Sequence, residues 1–344
     1  MFEGLRARLA GLAAAGSDFP APGIADGAAA EGMRGALAAF HGEAPGRYAS
    51  FFLRGKPLLA ARGERPLFRA LEGAGLAARL APSFYAPCVR LFPLLGKFVA
   101  ADLPTRARAD QVFPLMFEQV YLVRNMGVRP GDEVLELCLG SGVNSLFAAD
   151  RAGRVAGVEV SGRAAAFARF NRDLNGSAVE VLEGSLFEPV GDRRFDLVLV
   201  NPPFEPVPPG EDWFLHSHGG EDGLDVVRAL LAGLPAHLSP AGRFEIIAWS
   251  PAPTEGPLLV DLLRGALPRH RLAVHVLGEG PLEDHIEPFE RSPRYGAWRE
   301  GLRSRGIDRV CFLFVSAAPG GPGVEVLRPE AEVAACHAVA DAWR

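Results

Sequence analysis

Residues 132–147 read Asp-Glu-Val-Leu-Glu-Leu-Cys-Leu-Gly-Ser-Gly-Val-Asn-Ser-Leu-Phe, and no other stretch limits the fold as tightly. Val134 to Leu137 is an apolar run of strand length. Gly140-Ser141-Gly142 is a turn, and Val143 to Asp150 opens a helix with Leu146 and Phe147 facing inward. Strand, glycine turn and helix together form the first unit of a doubly wound α/β sheet. Glycine has no Cβ, so such a turn lets the backbone approach a ligand closely. Gly-x-Gly alone is shared by many nucleotide binders, so the rest of the chain must sharpen the reading.

Downstream, strands and helices alternate. Arg154 to Val160, Val179 to Leu182, Phe195 to Val200, Gly242 to Trp249, Arg271 to Gly278 and Val310 to Ser316 read as strands. Arg163 to Asn175, Leu224 to His237, Pro257 to Leu267 and Arg294 to Arg305 read as helices, and Ala331 to Arg344 as a short closing one. Phe195 to Val200 is almost purely apolar, as a strand buried on both faces must be. The alternation predicts a parallel sheet whose last strands are free to pair antiparallel.

The N-terminal part lacks that rhythm. Phe2 to Ala15, Ala28 to Phe40, Tyr48 to Leu59 and Pro66 to Leu80 read as helices, with a Pro/Gly loop at Ser17 to Gly27. Val89 to Val99 reads as a β-hairpin, and Gln111 to Met126 as a helix. The expectation is therefore an α/β fold: a Rossmann-like doubly wound sheet with an antiparallel final strand over 111–344, and a mainly helical domain over 1–110. That first domain fits a lid or substrate domain, a dimer arm or a scaffold, and composition does not choose among them.

With 344 residues, 49% of them hydrophobic, and a net charge of −5, the chain reads as a soluble globular protein. The negative balance argues against a nucleic-acid partner. Cys88, Cys138, Cys311 and Cys336 are scattered without a C-x-x-C pair, which predicts neither metal site nor disulfide framework and fits a reducing cytoplasm. No signal peptide or membrane span is legible.

The strand after the glycine turn ends in Val158-Glu159-Val160, and an acid placed there can accept both hydroxyls of a ribose. Its alternative role is to cap the next helix. No phosphate-gripping Gly-x-x-Gly follows, which favours a nucleoside without a pyrophosphate; S-adenosylmethionine (SAM) fits. An adenine would lie at Glu183-Gly184-Ser185-Leu186-Phe187, with Ser185 or the Leu186 amide on its edge. Directly after the buried strand comes Asn201-Pro202-Pro203-Phe204. Two prolines stiffen that turn and remove two N–H groups. The Asn201 side-chain oxygen and the Pro202 carbonyl can then accept from an acceptor –NH₂, while Phe204 stacks on a planar acceptor. Rate would come mainly from positioning.

As a set, Val134 to Gly142, Glu159, Gly184 to Phe187 and Phe195 to Phe204 resemble the class I SAM-dependent methyltransferases of the N-P-P-(Y/F) group, which modify planar nitrogens. Gly219-Gly220-Glu221-Asp222-Gly223-Leu224-Asp225 resembles the segment that follows the motif in HemK-type protein-glutamine methyltransferases. The resemblance covers about residues 110–250. It implies that Glu136, Cys138, Gly140, Ser141, Gly142, Glu159, Ser185, Leu186 and Asn201 bind SAM, and that Asn201, Pro202 and Phe204 carry catalysis on a small-molecule or peptide acceptor.

The chain also departs from that pattern. Glu136 stands for the usual Asp; it can still reach the SAM amino group, but extends further. Cys138 replaces the first glycine, Ser185 stands where Asp is common, and Phe204 replaces Tyr. The loop from Glu205 to His218 carries three acids, two histidines and an aromatic pair, and reads either as a wall of the acceptor pocket or as a solvated flap. The His216/His218 spacing makes no convincing metal pair, and His285 reads as a surface residue. Three functions compete: N-methyl transfer; cyclisation of SAM itself with release of methylthioadenosine, as in the azetidine-2-carboxylate synthases of natural-product pathways; and a non-catalytic SAM-fold module. A nucleic-acid N-methyltransferase is a further alternative to the first, and a homodimer is compatible with all of them.

Overall fold

The structure, a computed structural model, describes residues 22–24, 27–103 and 109–344. The expected helix Phe2 to Ala15 and most of the following loop lie outside the described residues. Helix α1 (Gly27–Glu43) comes first, then a short helix Pro45–Tyr48 that continues as a π turn over Ala49–Leu53. Strand β1 (Leu58–Leu59), helix α2 (Arg65–Gly73), and strands β2 (Ala77–Ala81) and β3 (Phe84–Pro87) follow, with β1, β3 and β2 forming a small antiparallel sheet. Strands β4 (Arg90–Leu94) and β5 (Lys97–Ala101) make the expected hairpin.

Two helices expected here are shorter than read. The segment Tyr48 to Leu59 leaves helical geometry at Gly55, whose φ of 67° is left-handed, and ends as β1. The segment Pro66 to Leu80 stops at Gly73, turns at Gly75 (φ 75°), and its last residues pair with β3.

Helix α3 (Phe117–Asn125) is also shorter than the expected Gln111 to Met126. Pro114 explains this: proline lacks the donor a helix interior needs and disfavours helical geometry in the residue before it. The helix begins where the Gln119 side chain accepts the Met116 N–H (2.7 Å), and Gln111 to Met116 runs non-helical toward it.

The large sheet holds β6 (Glu133–Leu137), β7 (Arg154–Glu159), β8 (Val179–Glu183), β9 (Phe195–Val200), β10 (Leu238–Ala252), β11 (His270–Pro281), β12 (Arg309–Pro319) and β13 (Gly323–Leu327), in the order β13-β11-β12-β10-β9-β6-β7-β8. The run from β10 to β8 is parallel, and β12 lies antiparallel between β10 and β11. Strand β13, not foreseen, adds a parallel edge to β11. Helices α4 (Val143–Ala148), α5 (Gly162–Asn175), α6 (Asp225–His237), α7 (Leu258–Ala266), α8 (Tyr295–Ser304) and α9 (Glu330–Asp341) complete the chain.

Sheet order reverses between β6 and β9. The chain leaves β6 toward β7 and β8, and leaves β9 toward β10 on the other side. Leu137 is level with Val200 across the pair, so the turns that follow both strands open at one edge. A crevice at such a reversal is where open α/β sheets bind ligands.

The N-terminal region packs on α5. The Asn171 amide, fully buried, accepts from Ala100 N–H (2.7 Å) and donates to Ala100 O (3.0 Å) and to Ser141 O (2.9 Å). Asn175 makes the same two-way contact with Phe98 (3.0 and 2.8 Å). One helix thus ties hairpin strand β5 to the glycine turn. Buried Asp102, just past β5, pairs with Arg163 of α5 and accepts the Val112 N–H (2.9 Å).

Candidate active site

The turns after β6 and β9 open into one cavity of about 640 Å³, within the ~300–1,000 Å³ usual for small-molecule sites. All the candidate residues named from the sequence line it except Gly142.

The glycine turn is built on left-handed backbone: φ is 56° at Cys138, 57° at Gly140 and 78° at Gly142. Cys138 therefore keeps the conformation of the glycine it stands in for. A Cβ on Gly142 would sit 3.2 Å from Ala168 Cβ of α5, so this glycine serves helix packing. A Cβ on Gly140 would meet no atom closer than the Cys138 carbonyl at 4.0 Å, so bareness there leaves space for a ligand.

Glu159 is mostly buried. Its two carboxylate oxygens accept one backbone N–H each, from Gly140 (2.7 Å) and Ser161 (2.8 Å). A carboxylate has about four acceptor positions, so capacity is left for two ribose hydroxyls. The α5 cap itself is Ser161, whose Oγ accepts the Ala164 N–H (3.2 Å).

Glu136 behaves differently from the expectation. It is fully buried and turned onto the start of α4, accepting from Asn144 Nδ2 (2.8 Å), Ser145 N–H (2.8 Å) and Ser145 Oγ. An acid at a helix N-terminus meets the unpaired N–H groups and the positive end of the helix dipole. Burial pushes its carboxyl up to about 7.

Two polar groups with unmet demand also line the cavity. Asn144 Oδ1 is buried without a donor. Glu118, in the first turn of α3, is buried with hydrogen bonds from its own backbone and Gln119, and burial pushes it up to about 7. Helices α3 and α4 pack together. An acceptor without a donor and a carboxyl without a cation, on two helices that pack together, suit an ammonium group. The set fits SAM: Glu159 for the ribose, Ser185 and Leu186 for the base, Asn144 and Glu118 for the amino-acid tail. Burial pushes the Cys138 thiol well up, which disfavours its thiolate.

Asn201 follows β9 directly, and its side-chain amide makes no hydrogen bond with the described residues. Phe204 stands 5.9 Å from Phe312 (ring centroids), which also meets Trp249 at 4.8 Å and Phe117 at 5.3 Å, giving the cavity an aromatic wall. Gly219 and Gly223 let the returning chain press against the turn. A Cβ on either would come within 2.8 Å of Phe204 Cα or 2.4 Å of Phe204 O.

The loop from Glu205 to His218 is folded rather than a free flap. Glu205 N–H donates to Ser217 O (2.8 Å), Gly219 N–H to Glu205 O (2.9 Å), and Trp213 Nε1 to Glu205 Oε2. Leu215 N–H donates to Ala109 O (2.8 Å), clasping the loop to the segment before α3, and His216, Ser217 and His218 line the cavity. His285 is not a plain surface group: its ring lies 4.1 Å from that of Trp249.

Sequence reading missed the segment Asp110 to Gln119, which forms a whole wall, and Asn144. Pro114 was the available signal for the first. Of the described residues up to Leu103, none lines the cavity. Among the described residues, no group of three or more His, Cys, Asp or Glu side chains is placed to hold a metal ion, and no helix is long and apolar enough to cross a membrane.

Residues 119–265 match the family model described as Methyltransferase small domain. The centre of this chain is thus similar to a methyltransferase small domain. Release factor glutamine methyltransferase of Geobacter sulfurreducens is 38% identical over 120 residues, 32% of this chain and 42% of that one. Ribosomal protein uL3 glutamine methyltransferase of Bradyrhizobium diazoefficiens is 38% identical over 123 residues, 32% of this chain and 39% of its own. Ribosomal RNA small subunit methyltransferase C of Alcanivorax borkumensis is 32% identical over 124 residues, 36% of this chain and 34% of its own. The chain spans about two fifths of the length of the first curated relatives it matches, so the likeness is one of the methyltransferase domain.

Proposed function

We propose that this methyltransferase domain uses SAM to methylate a planar nitrogen, an amide or an aromatic amine, on a small molecule or peptide. The observation that carries the reading is the unpartnered Asn201 amide beside Pro202, in the same cavity as Glu159 and the glycine turn. When bound, SAM would supply an electrophilic methyl group. Asn201 Oδ1 and the Pro202 carbonyl hold the two hydrogens of the acceptor nitrogen, leaving its lone pair free. Phe204 and the rings behind it stack on the planar group and exclude water, and held geometry supplies most of the rate.

Relatives named for glutamine in proteins support an amide acceptor; a relative named for ribosomal RNA keeps a base amine open. The cyclising reading places Glu136 near the SAM amine and Cys138 beside the methionine tail. Glu136 is instead spent on Asn144 and Ser145, and the comparisons add nothing in its favour. The described residues up to Leu103 are proposed as scaffold, since none of them lines the cavity.

Mass spectrometry of the protein with SAM and a panel comprising a glutamine tripeptide, an aniline and guanosine tests the reading. S-adenosylhomocysteine with a methylated acceptor is the expected product; methylthioadenosine from SAM alone would sink it. Asn201→Ala should keep SAM affinity within about threefold and lose turnover by about 100-fold or more, as loss of a transition-state positioning group does. If calorimetry shows SAM binding lost instead, Asn201 is structural.

A further inference from the structure

We propose that His216 is the base that receives the proton shed by the acceptor nitrogen, through its Nε2 atom. This rests on the methyl-transfer reading above and concerns a residue outside every motif that carried it. Methylation of an –NH₂ group leaves a cationic nitrogen with one hydrogen too many. The two oxygens that hold those hydrogens, on Asn201 and Pro202, are too weakly basic to keep one. A base must stand within reach, directly or through one water.

His216 is fixed for that task. Its Nδ1 lies 3.1 Å from the Gln111 carbonyl oxygen, and its ring packs on Phe113 (centroids 4.8 Å) and Phe214 (5.4 Å). A carbonyl oxygen only accepts, so Nδ1 carries the hydrogen. In a neutral imidazole, Nε2 is then a lone pair. No described residue donates to Nε2, and the ring lines the cavity shared with Asn201 and Phe204. Burial holds the ring below the ordinary histidine value, so it stands neutral near pH 7.

His218, two residues on, has the opposite tautomer. Its Nδ1 accepts the Gly220 N–H (3.3 Å), which places the hydrogen of the neutral ring on Nε2. It can donate in that form, but it offers no free lone pair. The other titratable groups lining the cavity are Asp110 on the clasped segment, Glu118 on α3, Glu136, Cys138 and Glu159 around the glycine turn, Glu205 on the loop, and Asp225 on α6. Glu205 is bonded to Trp213, Asp225 to Arg228, Glu136 to Ser145 and Glu159 to the Gly140 N–H, and none of these groups outweighs burial at His216.

In the step, the N–CH₃ bond forms as the S–CH₃ bond breaks. The sulfur keeps the bonding pair, giving S-adenosylhomocysteine. The surplus proton passes from nitrogen to His216 Nε2 and leaves to solvent when product departs.

The test uses the full chain, SAM, and an acetylated glutamine tripeptide or aniline as the acceptor probe. Wild-type kcat should rise with pH along an acid limb and level off near pH 7. His216→Gln, whose amide can still reach the Gln111 carbonyl, should lower kcat by about 100-fold, erase the acid limb, and leave the KM for SAM within twofold. His218→Gln should keep the acid limb. Nitrogen NMR of labelled histidine, which needs no acceptor, should show His216 with Nδ1 protonated and Nε2 bare at pH 7. A protonated Nε2, or an unchanged kcat and acid limb in His216→Gln, overturns the base while leaving methyl transfer standing. No S-adenosylhomocysteine with either probe overturns the transfer reading and the base together.

Discussion

Cys138 is where the chain breaks its family's glycine pattern and keeps its backbone. At φ 56° a side chain with Cβ costs about 1–2 kcal/mol, and the short, unbranched thiol is tolerated at the edge of the cavity. A β-branched residue has no such latitude. Cys138→Val should destabilise the protein by about 2 kcal/mol beyond any change seen in Cys138→Gly, read as a shift in urea midpoint with an unchanged slope. Equal midpoints for the two variants would mean that the left-handed turn is not held there. The motif residues were legible because each answers a local demand: Gly140 for bareness, Glu159 for hydroxyls, Asn201 for an –NH₂ group. What could not be read was how Glu136 would spend its carboxylate. The choice between a ligand ammonium and the start of α4 depends on Asn144 and Ser145 turning toward it, and one-dimensional spacing does not encode that.

At the scale of elements, the strands of the large sheet were legible from β6 through β12: β6, β7, β9, β10 and β12 because burial on both faces demands apolar runs, and β8 and β11 from their place in the alternation. The short strands β1 to β3 were not: stretches of two to five residues are too short to carry a period. Strand β13 escaped because all of it is exposed. The join between halves was equally silent. It rests on Asn171, whose one amide satisfies the Ala100 N–H, the Ala100 carbonyl and the Ser141 carbonyl. Removing it leaves three buried backbone groups unpaired, at about 1–3 kcal/mol each. Asn171→Ala should therefore lose at least about 3 kcal/mol of stability and, because Ser141 belongs to the glycine turn, should weaken SAM binding measured by calorimetry. A loss of stability with SAM affinity intact would show that the turn is held without this tie.

At the scale of the molecule, three carboxyls among the described residues sit near neutrality in the folded state: Glu118, Glu136 and Glu245 are each raised to about 7 by burial. Their folded values lie above the ordinary 4.5 of the unfolded chain, so the folded state holds protons that the unfolded chain has released. The stabilisation that follows is full below about pH 4.5 and drains away as pH rises through 7. Glu136 and Glu245 are bonded inside the protein, to Ser145 and Asn144 in one case and to Gly127 in the other, so a ligand leaves them as they are. Glu118 is the member of the three whose charge a ligand can meet. If the SAM ammonium sits between Glu118 and Asn144 Oδ1, bound SAM favours the ionised carboxyl, and binding must tighten as pH rises through 7 toward 8. The rise in melting temperature produced by saturating SAM should then be larger at pH 8 than at pH 6. Glu118→Gln should flatten that difference while keeping the pH dependence that belongs to Glu136 and Glu245. A SAM-induced shift that is the same at both pH values in the wild type would place the ammonium elsewhere. Glu118 would then be a buried acid facing the acceptor, on the aromatic side of the cavity where Phe117 and Phe312 meet.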